Sequence, residues 1–151
     1  MQAHEIMNST VYKVKDTDNV RLVIEKFIDH QISGLPVVNE RNEIVAYISD
    51  GDLMRYIGKH KDIVVDSFYY VDVIRGDDDE FEVRAQKVLD LNVMAIAQKK
   101  VQKVAWNQEI ENIAALLGQK QIKKVPVERN GVLAGIISRG DVIRHSFKKL
   151  L

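Results

Sequence analysis

Cysteine is absent from this chain of 151 residues, which excludes a disulfide framework, a thiolate zinc site and a cysteine nucleophile. An excess of either charge is also lacking, because 22 Lys and Arg residues balance 22 Asp and Glu residues. Nucleic-acid-binding proteins usually carry a basic excess, so we do not expect nucleic acid as a partner. No apolar run approaches the roughly 18 residues of a membrane span, and the first residues lack a signal-peptide pattern. We therefore expect no membrane partner and a cytoplasmic location.

The sequence motifs of common enzymes are missing too. The chain contains no Walker loop, no dinucleotide-binding glycine fingerprint, no HExxH helix and no nucleophile elbow. The four histidines do not have the spacing of metal ligands: His4, His30, His60 and His145. We therefore expect a protein that is not an enzyme, without catalytic residues, a metal site or a cofactor.

Proline occurs only twice, and the two prolines lie in an internal repeat. Residues 31–37, QISGLPV, match residues 121–127, QIKKVPV, ninety positions further on. After a one-residue gap, ISDGD at residues 48–52 matches ISRGD at residues 137–141. The chain is therefore a duplicated unit.

Each copy predicts the same order of elements, β-α-β-β-α. In the first copy, apolar residues with helical spacing follow a short extended stretch around residues 11–14: Val20, Val23, Ile24, Phe27 and Ile28. Two strands and a closing helix then follow, at residues 35–38, 44–49 and 52–57. The second copy repeats this order, with an extended stretch at 101–104, a helix at 107–120, strands at 125–128 and 132–138, and a last helix from Asp141. We predict an α/β fold with one repeat at residues 1–58 and the other at residues 93–151.

The connector between the repeats, residues 59–92, is less regular. Residues 63–74 are apolar and β-prone, residues 76–80 form an acidic turn, and residues 81–91 have the pattern of a short amphipathic helix. The connector either packs on one edge of the fold or docks a partner, and the sequence does not separate these two interpretations.

Two such units in tandem, each with an apolar-Pro-Val strand and a closing Ser-x-x-Asp, resemble a stand-alone pair of cystathionine-β-synthase (CBS) domains, a Bateman module. The resemblance covers residues 5–57 and 93–147. It implies that the units pack through their sheets about a pseudo-twofold axis and form two clefts for adenosine-containing ligands. It also implies pairing of two modules into a homodimer. The family pattern Gly-apolar-apolar-[Ser/Thr]-x-x-Asp is complete at residues 135–141, whereas the first unit has Ala46 in place of the glycine, where a side chain would crowd a ligand.

The resemblance implies a ligand site in the second unit that also makes chemical sense for a nucleotide. The carboxylate of Asp141 can accept hydrogen bonds from both ribose hydroxyls, and Ser138 with the following helix N-terminus suits a phosphate. The predicted site residues are Lys100, Val101, Ile122, Lys123, Lys124, Pro126, Ser138, Arg139 and Asp141. A weaker second site is predicted at Thr10, Val11, Ile32, Ser33, Pro36, Ser49 and Asp52. As an alternative, Ser138 and Asp141 form a helix capping box without a ligand.

The charge pattern favours the site in the second unit. Basic residues flank its strands and its Ser-x-x-Asp motif: Lys99, Lys100, Lys103, Lys120, Lys123, Lys124 and Arg139. The first unit has fewer, and Asp50 occupies the position of Arg139. At about 4 Å, one unit charge contributes about 1 kcal/mol in water and about 4 kcal/mol at an effective dielectric constant near 20. We therefore expect phosphate-bearing ligands to prefer the second-unit site.

These observations predict a regulatory module that senses AMP, ADP or ATP and acts on an effector protein that the sequence does not identify. Two alternatives stay open. The first is a structural or protein-interaction module with empty clefts, and the second is a sensor of S-adenosylmethionine or of a cyclic dinucleotide. A thermal shift with a ligand would discriminate them, since a ligand at 100 times its dissociation constant adds about 2.7 kcal/mol of stability.

Overall fold

The two repeats fold as the sequence predicts, in the order β-α-β-β-α twice. The computed structural model describes residues 1–60, 63–66, 68–69, 71–74, 76, 80–119 and 122–151. The first repeat contains α1 (Ala3–Ile6), β1 (Val14–Lys15), α2 (Val20–His30), β2 (Gly34–Val38), β3 (Ile44–Ser49) and α3 (Asp50–Ile57). The connector contains β4 (Ile63–Asp66), β5 (Val71–Ile74) and α4 (Phe81–Leu89). The second repeat contains a 3₁₀ turn (Val93–Ala95), β6 (Val104–Ala105), α5 (Ile110–Gly118), β7 (Lys124–Arg129), β8 (Val132–Ser138) and α6 (Arg139–Phe147).

Each repeat forms a three-stranded sheet with the same pairing. The short first strand runs parallel to the second, with Val14 opposite Val37 in one repeat and Val104 opposite Val127 in the other. The second and third strands form an antiparallel hairpin. In the second repeat the hairpin turns at Asn130 and Gly131, whose φ angles of 53° and 80° are those that a tight two-residue turn requires. The hairpin turn of the first repeat also contains a residue with a positive φ angle, Asn42 at 61°.

The closing helices begin earlier than the sequence analysis predicts. Helix α3 begins at Asp50 and α6 at Arg139, two residues before the predicted starts. The reason is that the serine of the Ser-x-x-Asp motif is the N-cap of each helix, so the aspartate occupies the third helical position. The helix α5 is shorter than predicted, because residues 107–109 precede it in a turn and an extended cap.

The apolar faces of the helices pack on the sheets of their own repeats. In the first repeat Val23 packs with Leu35 and Ile48, and in the second repeat Ile113 packs with Ile137. All of these side chains are fully buried or nearly so. The predicted helical spacing therefore produces the predicted core.

The N-terminal segment of each repeat packs on the opposite repeat. Ala3 and Ile6 of α1 belong to the core of the second repeat, and Val93 and Ala97 belong to the core of the first. The backbones cross in matched pairs: Asn8 with Ile136 and Gln98 with Tyr47, Gln2 with Glu109 and Asn92 with Asn19. Because equivalent positions, 89 or 90 residues apart, exchange partners, the two repeats are related by a pseudo-twofold axis. The predicted repeat boundaries stay a prediction, but this crossing means that neither core is built from one repeat alone.

The connector forms a hairpin and a helix. The strands β4 and β5 pair antiparallel, with Ile63 opposite Ile74, and α4 packs on the first repeat through Val88, which contacts Val20 and Leu53. The predicted acidic turn falls partly on residues 77–79, which lie outside the described residues. Within the part of the chain that the structure describes, no helix is long and apolar enough to cross a membrane.

Candidate functional site

A large cleft of about 580 Å³ lies between the two repeats. Both repeats supply its lining: Ser33, Gly34, Tyr47, Ser49, Asp50, Gly51 and Arg55 from the first, and Gln98, Lys100, Val101, Gln102, Ile122, Lys123, Lys124, Pro126 and Arg139 from the second. This volume lies in the range of small-molecule sites, roughly 300–1,000 Å³. Seven of the nine residues predicted for the second-unit site are therefore brought together here.

The large cleft has an apolar wall made by three of those residues. Val101 and Ile122 are half-buried, and Pro126 is buried in β7. Val101 also packs against the cluster of Val38, Ile44 and Leu133 between the repeats. This packing holds the wall in place, and an apolar wall of this kind suits one face of an aromatic base.

The cationic side of the large cleft contains Lys100, Lys123, Lys124 and Arg139. Among the described residues, no ion pair with a carboxylate is found for any of the three lysines, so their charges are available to a ligand. The Arg139 side chain donates from Nε to the Leu117 carbonyl at 3.0 Å.

The other three lysines of the predicted basic set are not among the described residues that line the large cleft. Lys103 pairs with Glu128 at 2.5 Å, Lys99 is not part of the lining, and residue 120 lies outside the described residues.

Ser138 and Asp141 do not line the large cleft. They form a helix capping box, which is the alternative interpretation of these two residues given above. The Ser138 amide donates to Asp141 Oδ2 at 2.8 Å, and the Asp141 amide donates to Ser138 Oγ at 3.1 Å. Arg144 Nη2 donates to Asp141 Oδ1 at 2.8 Å. Burial acts to raise the pKa of Asp141, but the hydrogen bonds from Ser138 and the charge of Arg144 outweigh it and lower the pKa below its ordinary value. The role of Asp141 toward a ribose stays a prediction.

The Ser-x-x-Asp motif beside the large cleft is that of the first repeat. Ser49, Asp50 and Gly51 line the cleft where α3 begins, while Asp52 lies beneath them with its side chain 1% exposed. Oδ2 of Asp52 accepts from the Ser49 amide at 2.9 Å and from the Ser49 hydroxyl at 3.2 Å. Oδ1 accepts from Gln98 Nε2 at 2.9 Å and is paired with Arg55.

We predicted that each Ser-x-x-Asp motif forms a site with the strands of its own repeat, whereas the structure combines a motif and strands from different repeats. The crossing of residues 8 and 98 onto the opposite sheets brings the lysine-rich strands of the second repeat beside the motif of the first. As a consequence, Asp50 and Arg139 both line the large cleft. The expectation that these opposite charges distinguish two separate sites is therefore wrong.

A smaller cleft of about 140 Å³ is the symmetry counterpart of the large one. It contains three of the residues predicted for the weaker site, Thr10, Val11 and Ile32, with Asn8, Tyr12, Gly34, Lys124 and Ile136. The other predicted residues lie elsewhere. Ser33 and Ser49 line the large cleft, Pro36 is buried in β2, and Asp52 caps α3. The weaker site is thus divided between the two clefts.

Ala46 does not crowd either cleft, contrary to the expectation from the family pattern. Its side chain is fully buried in the core of the first repeat. The matching Gly135 is close to Met7, since a Cβ built there would lie 2.5 Å from the Met7 sulfur. The glycine in the second repeat therefore makes room for the crossing N-terminal segment rather than for a ligand.

Several lining residues are not identified by the sequence analysis, and Tyr47 is the largest of them. Its ring packs so closely on Gly34 that a Cβ there would lie 2.6 Å from the hydroxyl oxygen. Burial, with the nearby Asp50 carboxylate, raises the pKa of Tyr47 to about 12, so the phenol stays protonated and can donate a hydrogen bond. The other missed residues are Gly34, Gly51, Arg55, Gln98 and Gln102. No motif or periodicity in the sequence singles out Gln98, because its place in the cleft depends on its pairing with Tyr47 of the other repeat.

Taken together, the elements and clefts define a tandem module of two repeated β-α-β-β-α units with two symmetry-related clefts. The CBS domain model matches residues 3–59 and 96–148, and the chain therefore belongs to the CBS domain family.

The comparisons with individual proteins agree with this family. The chain is 29% identical to "Uncharacterized protein MJ1426" of Methanocaldococcus jannaschii, over 95% of this chain and 89% of that protein. It is 26% identical to the chloroplastic CBS domain-containing protein CBSX2 of Arabidopsis thaliana, over 89% of this chain and 58% of that protein. The solved structure of CBSX2 superposes with a TM-score of 0.77, covering 99% of this chain and 96% of that chain at 22% identity. A structure of CBSX2 in complex with AMP gives a TM-score of 0.73 at 22% identity, covering 99% of this chain and 98% of that chain.

Proposed function

We propose that this protein is a regulatory module that binds an adenosine phosphate, AMP, ADP or ATP, in the large cleft. The observation that carries the proposal is the combination, in one cleft of about 580 Å³, of an apolar wall with a cluster of cations. The base lies against Val101, Ile122 and Pro126. The phosphates lie toward Lys123 and Arg139, because charge-assisted hydrogen bonds to cationic side chains are the strong ones.

The similarity to CBSX2 supports this assignment, since that protein has been solved in complex with AMP. The cation cluster favours a phosphate over the positively charged sulfonium of S-adenosylmethionine. One charge contributes about 1 to 4 kcal/mol at about 4 Å, depending on the effective dielectric constant. Asp141 and Ser138, the repeat counterparts of Asp52 and Ser49 at the large cleft, are the proposed polar groups of a second and weaker site at the smaller cleft.

Calorimetric titration of the purified protein tests the proposal with AMP, ADP, ATP, S-adenosylmethionine and a cyclic dinucleotide. We expect the adenosine phosphates to bind more tightly than S-adenosylmethionine. We expect the double variant K123A/K124A to bind them at least tenfold more weakly, since each 1.4 kcal/mol changes affinity by a factor of ten. The matched control is Lys99→Ala, which removes an exposed lysine outside the cleft lining. Absence of binding by all five ligands would favour a structural or protein-interaction module.

We also propose that two copies of the chain pair through the closing helices. Met54 of α3 and Ile143 of α6 occupy matching positions in the repeat and are 60% and 57% exposed, and Phe147 of α6 is 48% exposed. Exposed apolar residues on two symmetry-related helices form a surface suited to a twofold interface. Light scattering should give the mass of a dimer for the wild type and of a monomer for M54E/I143E. A monomeric wild type would contradict the proposal.

A further inference from the structure

Gln98 links the two repeats through both its backbone and its side chain. Its amide and carbonyl exchange hydrogen bonds with Tyr47, each at 2.9 Å, which fixes the residue against β3. From this position Nε2 donates to Oδ1 of Asp52 at 2.9 Å. A residue of the second repeat therefore contacts the motif carboxylate of the first.

The Asp52 carboxylate has two chemically different sides. Oδ2 is held by Ser49 inside the capping box and is needed to stabilise the start of α3. Oδ1 is covered by Gln98 and Arg55. Both covering residues are exposed and line the large cleft, so displacement of their side chains would open Oδ1 to a ligand.

Among the described residues, the corresponding carboxylate of the second repeat, that of Asp141, has no hydrogen bond from the other repeat. Asn8 matches Gln98 in the repeat, but its side chain is one methylene shorter and its Oδ1 accepts from the Thr10 amide at 3.0 Å. Within the described ranges, the hydrogen-bond partners of Asp141 are Ser138 and Arg144, both from its own repeat. The Asp141 side chain is 22% exposed, compared with 1% for Asp52. One sequence motif thus gives one covered and one more open carboxylate.

We infer that Gln98 is a specificity-determining residue of the large cleft, whose side-chain amide occupies the place on Asp52 that a ligand diol would take. This inference rests on the proposed nucleotide function and deepens it. An amide N–H and a ribose hydroxyl are both donors, so ribose binding at Asp52 exchanges one hydrogen bond for another. The ribose therefore gains less binding free energy than it would at an uncovered carboxylate. The reason is that the hydrogen bond from Gln98 to the charged carboxylate, which is of the stronger kind, must first be broken. Gln98 therefore lowers the affinity for ligands with free ribose hydroxyls and leaves the affinity for the base and phosphates unchanged.

The experiment compares AMP with 2′,3′-dideoxy-AMP by calorimetry on the wild type and on Gln98→Ala. We expect Gln98→Ala to bind AMP about tenfold more tightly, the equivalent of one charged hydrogen bond, and to bind dideoxy-AMP as the wild type does. Gln98→Met keeps the length of the side chain without its donor, and should show the same gain if the alanine variant is unstable. Gln86→Ala, which removes an exposed glutamine of α4, is the matched control and should leave both affinities unchanged.

The outcomes separate this inference from the proposed function. If the wild type binds AMP and both Gln98 variants bind it with the same dissociation constant, the inference is overturned and the nucleotide function stands. An equal gain for AMP and dideoxy-AMP also overturns it, because the gain would then not depend on the diol. If neither nucleotide binds the wild type or any variant, the proposed function and the inference both fail.

Discussion

The backbone amide of Arg139 donates a hydrogen bond to the carbonyl of Lys123 at 3.2 Å. This contact joins the start of α6 to the residue before β7. As a result, Arg139 and Lys123, which are distant in the sequence, both line the large cleft. The matching contact in the first repeat joins the Asp50 amide to the Ser33 carbonyl at 2.8 Å. The same backbone arrangement thus presents a cation from one repeat and an anion from the other.

The first prediction concerns the phosphate chain length. Lys123→Ala should weaken ATP binding more than AMP binding, because each added phosphate increases the charge that the cation neutralises. We expect a loss of about threefold to tenfold for ATP at low salt, and a smaller loss at high salt where exposed charges are screened. Titrations at two ionic strengths measure this difference. Equal losses for ATP and AMP would contradict the placement of the phosphates near Lys123.

The second prediction uses the anion in the large cleft. Asp50→Asn keeps an acceptor for the Gly51 amide, which donates to Asp50 Oδ1 at 2.8 Å, but removes the negative charge. The variant should therefore bind adenosine phosphates severalfold more tightly, with little change in its melting temperature. Asp29→Asn, which neutralises an exposed aspartate of α2 outside the cleft, is the control. An unchanged affinity in Asp50→Asn would place the phosphates away from α3.

The third prediction is a pH dependence of stability from Asp141. Burial alone would raise the pKa of Asp141, but hydrogen bonds from Ser138 and the charge of Arg144 place it below the 3.8 of an unperturbed aspartate. Since the folded-state pKa is lowered, this stabilisation is complete above pH 3.8 and is lost as the pH falls through the folded-state pKa. Urea unfolding between pH 2 and 7 should show a weaker acid loss in Asp141→Asn than in the wild type. Parallel curves for the two proteins would contradict the prediction.

The fourth prediction concerns the packing of Tyr47 on Gly34. Gly34→Ala should destabilise the protein by about 1–3 kcal/mol, the usual cost of overpacking, because the new Cβ overlaps the Tyr47 ring. Most of this cost should disappear in the background Tyr47→Ala, which a double-mutant cycle of unfolding free energies measures. Gly118→Ala is the control, since among the described residues a Cβ there would meet no atom within 4 Å beyond its chain neighbours and the backbone of its own helix. An equal cost in both backgrounds would show that the ring is not the obstacle.

Much of the fold could be predicted from the sequence because each helix and strand is specified by residues that lie close together in the chain. The helical spacing of Val20, Val23 and Phe27 specifies α2 through residues that are neighbours in the sequence. The contribution of Lys123, Lys124 and Pro126 to one cleft also follows, since they share or adjoin a single strand.

The composition of the site across the repeats could not be predicted in the same way. The pairing of Gln98 with Tyr47 joins residues that no periodicity connects, and it decides which Ser-x-x-Asp motif borders the lysine-rich strands. Asp52 and Asp141 are equivalent as sequence positions. Their surroundings differ in that Gln98 reaches Asp52 from the other repeat, whereas Asn8, one methylene shorter, accepts a hydrogen bond from the Thr10 amide instead.

The crossing of the N-terminal segments determines how the molecule can be assembled. A fragment that ends before residue 93 would lose Val93 and Ala97 from its interior and leave Ala3 and Ile6 without the surface on which they pack. Neither half is therefore self-sufficient, and both halves should melt together in a single cooperative step. A single unit with the same segment could complete its core only by exchanging that segment with a second copy of itself.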